Sequence, residues 1–205
     1  MVGEEPCTCD KSKKASATGA PAAAVCPVVA VPVLGPLRPP AYSRAAFVVY
    51  DPDTMLWYHS DMVLPAVFYE SLSGDDATFI LQAEIIAAIT AYTSLPHILA
   101  GRPVIHFIDN TGALSLLIHG YSSRPDCARL VNSFHLLQAI MRSNVWFEWV
   151  PSAANIADLP SRGAYNEFYG ILPTSTHVEF VLPQFQTFNG PLSNFLAAME
   201  QQLHF

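Results

Sequence analysis

Pro103-Val104-Ile105-His106-Phe107-Ile108-Asp109-Asn110-Thr111 is the stretch on which the fold turns. A short apolar, β-branched and aromatic run of this kind reads as a buried strand. The Asp-Asn-Thr that follows is helix-start chemistry, and the helix it opens runs to about His119, where Gly120 can cap it. Upstream, Ala45-Ala46-Phe47-Val48-Val49-Tyr50 has the same strand character and stops at the turn signal Asp51-Pro52-Asp53. Met55 to His59 and Met62 to Tyr69 supply two more strands, giving a meander. Gly74-Asp75-Asp76 reads as a turn with Asp75 or Asp76 as N-cap, and Thr78 to Ser94 as a helix that ends before Pro96. Downstream, Asp126 to Ser143 places Leu130, Phe134, Leu137 and Met141 at three- and four-residue steps, which predicts a third helix. Val145 to Val150 follows as a strand, then Asn155 to Arg162 as a short helix with Pro160 inside it. The order predicts a mixed α/β domain whose alternating second half contains parallel pairing.

Composition bounds what such a domain can do. The 205 residues suffice for one domain with extra segments. Hydrophobic residues make up 51% and charged residues 13%, about half the usual share of roughly 25%, so most of the chain is not a disordered, solvated one. The net charge of −7 argues against a general electrostatic nucleic-acid binder, which shows a basic face. It does not exclude a nucleic-acid enzyme whose carboxylates hold metal ions. The apolar run 22–37 is broken by Pro27, Pro32 and Pro36 and cannot be a spanning helix. The stretch 77–101 carries Gln82, Glu84 and Pro96 and reads as a buried helix. Glu4 and Glu5 precede the lysines at the N-terminus, unlike a signal peptide. Cys7, Cys9, Cys26 and Cys127 lack paired zinc spacing and read as reduced thiols of an intracellular, non-secreted chain.

Three segments are expected. Residues 1–43 hold all three lysines and then run in Ala, Pro, Val and Ser, which reads as a flexible tail. Residues 44–163 form the domain. Residues 164–205 are a C-terminal extension, with Val178 to Leu182 and a possible helix from Leu192 to Leu203, and either pad the core or continue toward another domain.

Scarcity of charge makes four carboxylates conspicuous. Glu84 is alone between Ala77 and Gly101, Asp109 between Pro103 and Ser123, and Asp158 between Trp149 and Ser161, while Asp51 ends the first strand of the domain. A lone carboxylate among buried apolar groups costs several kcal/mol unless it is paired. A divalent cation is a common partner, and Mg²⁺ takes hard oxygen ligands. Structural readings stand beside this one: Asp109 as a helix N-cap, Asp51 as a turn residue, Glu84 on a solvated face, and Asp158 as an ion pair with Arg162 four residues on.

The order Asp, Glu, Asp, Asp on strand, helix, strand and helix resembles the ribonuclease H family in its retroelement form, which usually follows a reverse transcriptase. The resemblance is carried by Asp51, by Gln82-Ala83-Glu84, by Val104 to Ala113 through Asp109-Asn110, and by Trp149-Val-Pro-Ser-Ala-Ala-Asn155-Ile-Ala-Asp158-Leu-Pro-Ser-Arg162. It spans about Ala45 to Gly163. It implies a ribonuclease H-like fold, a mixed five-stranded sheet flanked by helices. It also implies a metal-dependent endonuclease that hydrolyses the RNA strand of RNA–DNA hybrids. The cofactor implied is two Mg²⁺ ions, with Mn²⁺ as substitute, clamping the scissile phosphate. Asp51, Glu84, Asp109 and Asp158 would be both catalytic residues and metal ligands. Asn110, Asn155, Ser161 and Arg162 would contact the hybrid, recognised by shape and 2′-hydroxyls. A reverse transcriptase domain of the parent polyprotein is the implied partner.

The chain departs from the family in three places. Asp51-Pro52-Asp53 stands where small residues usually follow the first Asp, which leaves Asp53 as a substitute ligand. Ser152-Ala153-Ala154 holds no histidine where many members have one, and no basic substrate-binding extension is present. These departures sustain an alternative: a catalytically inactive domain of the same fold, kept for nucleic-acid binding or as a structural remnant. A transposase or integrase of the same superfamily would end its set with Glu rather than Asp158. His106 reads as a packed histidine, His119 as a partner of the last helix carbonyls, and Trp146 and Trp149 as sheet-face residues.

Overall fold

The computed structural model of the protein describes residues 28–31, 43–70, 72, 79–183, 197 and 201. The strands are β1 (Val28–Val31), β2 (Arg44–Asp51), β3 (Leu56–Val63), β4 (Pro103–Ile108), β5 (Asn144–Trp149) and β6 (Thr176–His177). The helices are α1 (Ala66–Glu70), α2 (Ile80–Ser94), α3 (Pro96–Leu99), α4 (Thr111–His119), α5 (Pro125–Met141), α6 (Asp158–Ser161) and α7 (Tyr165–Ile171). The strands form one sheet in the order β5-β4-β1-β2-β3-β6. β2 is antiparallel to both β1 and β3, while β1–β4, β4–β5 and β3–β6 are parallel. The expected mixed α/β architecture is present, with six strands among the described residues rather than five.

β1 is the main departure from the sequence reading. That reading makes residues 1–43 one tail, yet Val28–Val31 sits in the middle of the sheet, between β2 and β4. Proline has no N–H for a strand ladder and is confined to strand ends and edges. Pro27 and Pro32 therefore bound the strand, and the four residues between them are too few to show a period. The third strand of the meander also differs. Met62 to Tyr69 is no separate strand: β3 continues to Val63, and Ala66–Glu70 is helical. The turn at Gly74 to Asp76 lies outside the described residues, as does the expected helix from Leu192 to Leu203 apart from residues 197 and 201.

The sheet divides two cores of unequal size. On one face α2, α4 and α5 cover Val29, Ala45, Phe47, Val49, Val104 and Ile108. Every residue of α2 from Gln82 to Thr93 is buried. A helix that is apolar nearly all round is one enclosed on all sides, and α2 packs against the sheet and against both other helices. On the opposite face, Ala30 and Val48 meet Ala157 and Phe168 from the α6–α7 region. The C-terminal extension is part of the fold as far as residue 183. Val178 donates its N–H to the His59 carbonyl (3.0 Å), the Ser60 hydroxyl donates to the Val178 carbonyl (2.7 Å), and Phe180 stacks on Phe47. This segment covers the edge of β3, which would otherwise expose unpaired backbone groups.

Two buried carboxylates fasten the frame. Asp126, at the start of α5, accepts from Gln82 Nε2 of α2 (2.7 Å) and from Arg124 Nη2 (3.1 Å). Burial pushes its carboxyl up, but the hydrogen bonds from Arg124, Gln82 and the Cys127 N–H outweigh that and hold it down at about 2. Asp51, at the end of β2, accepts from Arg102 Nη1 (2.8 Å) and Thr54 Oγ1 (2.7 Å), and Arg102 Nη2 also reaches Asp53 (2.9 Å). Arg102 immediately precedes β4, so this contact ties the β2–β3 turn to the start of β4.

A folded-state pKa below the unfolded value gives stability that is present above the unfolded value and lost as pH falls toward the folded one. Asp126→Asn should therefore destabilise the domain by about 2 kcal/mol at neutral pH and flatten the loss of stability between about pH 4 and about pH 2. Urea unfolding at several pH values measures both effects. Arg102→Ala leaves Asp51 buried without its cation and should cost about 2 kcal/mol, whereas Arg142→Ala, at an αL helix end, serves as the surface control in the same assay.

Candidate functional site

The site grows from the end of β4. Asn110, not Asp109, caps α4: its Oδ1 accepts from the Ala113 N–H (3.0 Å). Asp109 is thereby released from the capping role, and its Oδ1 is buried with no hydrogen-bond partner. Its backbone carbonyl accepts from Trp149 Nε1 (3.2 Å), which fixes the end of β4 to the end of β5.

Asp158 approaches from the opposite sheet face as the first residue of α6, and it is buried. Arg162 Nη2 donates to its Oδ2 (2.8 Å), the pairing of residues four apart on a helix. Burial raises the Asp158 carboxyl pKa, Arg162 opposes that, and the negative charge of Asp109 adds to the rise; the net direction is upward. Of the four expected ligands, Asp158 thus feels the charge of Asp109.

Glu84 is buried on α2. A Cβ on Gly112 would lie 3.3 Å from Leu81 Cδ1 and 3.1 Å from Asn110 Oδ1, so glycine at 112 lets α2 and α4 approach closely. Glu84 is one turn beyond Leu81 on the same helix side. Among the described residues, however, no three His, Cys, Asp or Glu side chains are grouped to hold a metal ion.

Asp51 is not brought to the other carboxylates, and this corrects the expectation that it would share their metals. Its strand is β2, which runs antiparallel to β1 and β4. Asp51 lies one residue past the Tyr50–Val28 pair, whereas Asp109 lies one residue past the Ile108–Val31 pair at the other end. At about 3.3 Å per residue the two levels are roughly 16 Å apart along the strands. Asp53, the substitute, shares the edge of Asp51 and binds Arg102 there. The strand beside Asp109 is β1, and it offers Val-Val-Ala-Val; the sequence from Lys11 to Tyr50 contains no Asp or Glu at all. The residues present do not fit a site for two Mg²⁺ ions, which requires several carboxylates shared between the ions.

The four proposed hybrid contacts have local work. Asn110 is the α4 cap. Asn155 Oδ1 accepts from the Ala157 N–H (3.3 Å), and Ser161 Oγ donates to the Asp158 carbonyl (3.0 Å). Arg162, half exposed, is the one with a face toward solvent. It lines an open cleft of about 480 Å³ with Asn155, Asp158 and Glu167. That cleft offers a phosphate one cation and two carboxylates. Sequence reasoning does not reveal Arg102 or Gln82 as partners of buried acids, because their pairings follow from strand direction and helix docking. His106 is the packed histidine expected: it is fully buried, bonded to Tyr92 (3.3 Å), and burial lowers its pKa to about 3. His119 binds the Ser115 carbonyl (2.7 Å), as its place at the end of α4 suggests. No helix among the described residues is long and apolar enough to cross a membrane.

No family model matches the chain, and no curated protein matches it. Among solved structures, it is similar to the N-terminal RNase H domain of a Mycobacterium tuberculosis protein, determined as a fusion with maltose-binding protein. The identity is 16% and the TM-score 0.40, over 73% of this chain and 99% of that one.

Proposed function

We propose that the chain is a ribonuclease H-like domain of retroelement type that does not carry out two-metal hydrolysis, and that it serves as a non-catalytic nucleic-acid-binding or structural module. The observation that carries this reading is the placement of Asp51 at the far end of the sheet from Asp109, with only apolar residues on the strand between. Metal-dependent cleavage would need a carboxylate at the β1 position level with Asp109, and the sequence holds none near it. The blocks through Asp109-Asn110 and from Trp149 to Arg162 support the kinship. The absence of a histidine at Ser152-Ala153-Ala154 agrees with a silent site.

Binding of an RNA–DNA hybrid would be weak and salt-sensitive. From Ala41 onward six Arg and no Lys face fourteen Asp or Glu, and phosphate contacts supply most of such affinity. The retroelement origin and a reverse transcriptase partner belong to the same proposal and rest on the resemblance.

The test is cleavage of a labelled RNA–DNA hybrid in Mg²⁺ and in Mn²⁺ by the full chain and by Asp109→Asn. The expected outcome is no cleavage by the parent above the variant in either ion. Cleavage that needs the metal and disappears in Asp109→Asn would overturn the proposal and restore the nuclease reading, with Asp109, Glu84 and Asp158 as its ligands.

A further inference from the structure

We infer that β5 is a self-association edge: two copies of this chain pair antiparallel along it, about a twofold axis at Trp146, and the sheet continues across the dimer. The inference does not depend on whether the domain cleaves nucleic acid.

β5 ends the sheet on the side away from β6, and among the described residues none pairs with its outer edge. Unpaired N–H and C=O groups on an edge are a template for another strand. The usual guards are missing, because Asn144-Val145-Trp146-Phe147-Glu148-Trp149 has no Lys, no Pro and a single charge. The inner side of the strand fixes where the free groups point. Asn144 N–H donates to the Arg102 carbonyl (3.0 Å) and Val150 N–H to the Ile108 carbonyl (3.2 Å), in parallel register with β4. Successive residues of a strand aim their backbone groups to alternate sides, so Val145, Phe147 and Trp149 present theirs outward. A twofold axis at Trp146, perpendicular to the sheet, sets Val145 against Phe147 of the second copy and Phe147 against its Val145. Those are the residues with outward groups, so each pair can exchange both hydrogen bonds. Side chains agree with that register. Val145 and Phe147 pack on the main core, which leaves Asn144, Trp146 and Glu148 together on the other face. Trp146, 68% exposed, then meets its own copy, and Asn144 lies opposite Glu148 of the second copy, amide against carboxylate. The two Glu148 side chains stand about 13 Å apart along the strands, so no like charges are opposed. A nucleic acid fits this edge poorly, since the strand offers phosphate a carboxylate and no cation. Six residues a side is few beside the roughly 20–30 of a standard interface, so the dimer is weak and concentration-dependent.

The experiment is sedimentation velocity of the full chain from about 1 µM to about 300 µM, a range that brackets a weak interface, with hydrogen exchange of the Val145 and Phe147 amides at both ends of the range. The parent should pass from monomer to dimer, and the two amides should gain protection as it does. Asn144→Glu sets a carboxylate opposite Glu148 twice per dimer and should weaken association by about tenfold. Trp146→Glu, which puts like charges at the axis, should weaken it at least as much. Asn144→Lys places an ammonium opposite Glu148 and should tighten it. Asn144 and Glu148 of one chain are also about 13 Å apart, so these opposite shifts do not arise within the monomer. Val67→Glu, the same kind of change at an exposed apolar residue of α1, should leave association unchanged. All three positions are exposed, and thermal unfolding of each variant at low concentration should match the monomeric parent. A parent that stays monomeric at the highest concentration would overturn the inference. So would a dimer that Asn144→Glu and Asn144→Lys shift in the same direction, or one that Val67→Glu weakens as much as Trp146→Glu does. Amides at 145 and 147 protected equally at every concentration would place another segment of the same chain on this edge and overturn it as well.

Discussion

Strand direction is the constraint on which everything else in this molecule depends. β1 lies between β2 and β4, antiparallel to the first and parallel to the second. Any two residues that end β2 and β4 in sequence are therefore at opposite ends of the sheet in space. Asp51 and Asp109 both follow apolar strands and look equivalent in the sequence; the sheet separates them by its own length. The same pairing aligns Val31 with Ile108 and so decides which strand could have completed a site around Asp109. Had β2 been the neighbour of β4 and parallel to it, the two carboxylates would have met.

A second regularity follows from burying acids in a chain so poor in charge. Of the six arginines from Ala41 onward, Arg44 pairs with Asp61, Arg102 with Asp51, Arg124 with Asp126 and Arg162 with Asp158. Each partner carboxylate is buried or nearly so, and removing the cation from such a pair is strongly destabilising because it leaves an uncompensated buried charge. These four arginines are committed to the protein's own acids, which leaves little cationic surface for a phosphate backbone. Net acidity and the commitment of arginine to internal pairs are thus two aspects of one arrangement.

Much of this is legible from residues alone. β2 and β4 announce themselves because each is a run of β-branched and aromatic residues ended by a turn or a helix start. Gly120 takes the left-handed conformation expected of a helix C-cap, and Asn110 takes the N-cap. α5 shows its three- and four-residue spacing. β1 is hidden for a physical reason: four apolar residues between prolines have no period, and their strand identity comes wholly from the two neighbours that pair with them. β3 and α1 are hard to divide because apolar residues dominate Met62 to Tyr69, and apolarity does not distinguish a strand end from a short helix. The placement of the first carboxylate depends on β1 in turn. With β1 unseen, β2 looks like the leading strand, and Asp51 looks like a strand end beside β4. The isolated carboxylates are a sound signal of buried negative charge, but scarcity of charge does not say which cation neutralises it.

Arginine and a metal ion answer the same electrostatic need under different geometric conditions. A two-ion site requires side chains from several elements to converge within a few ångströms, so it is only as good as the register of the whole sheet. An arginine needs one neighbour. Arg124 lies two residues before Asp126, and Arg162 four residues after Asp158, so both pairs form within a single helical turn whatever the sheet does. Arg102 reaches Asp51 because the start of β4 and the end of β2 share an edge. A framework of this kind keeps its buried acids compensated without any convergent cluster. The fold can then persist with Asp158 compensated by Arg162 while the strand between Asp51 and Asp109 carries nothing but valine and alanine.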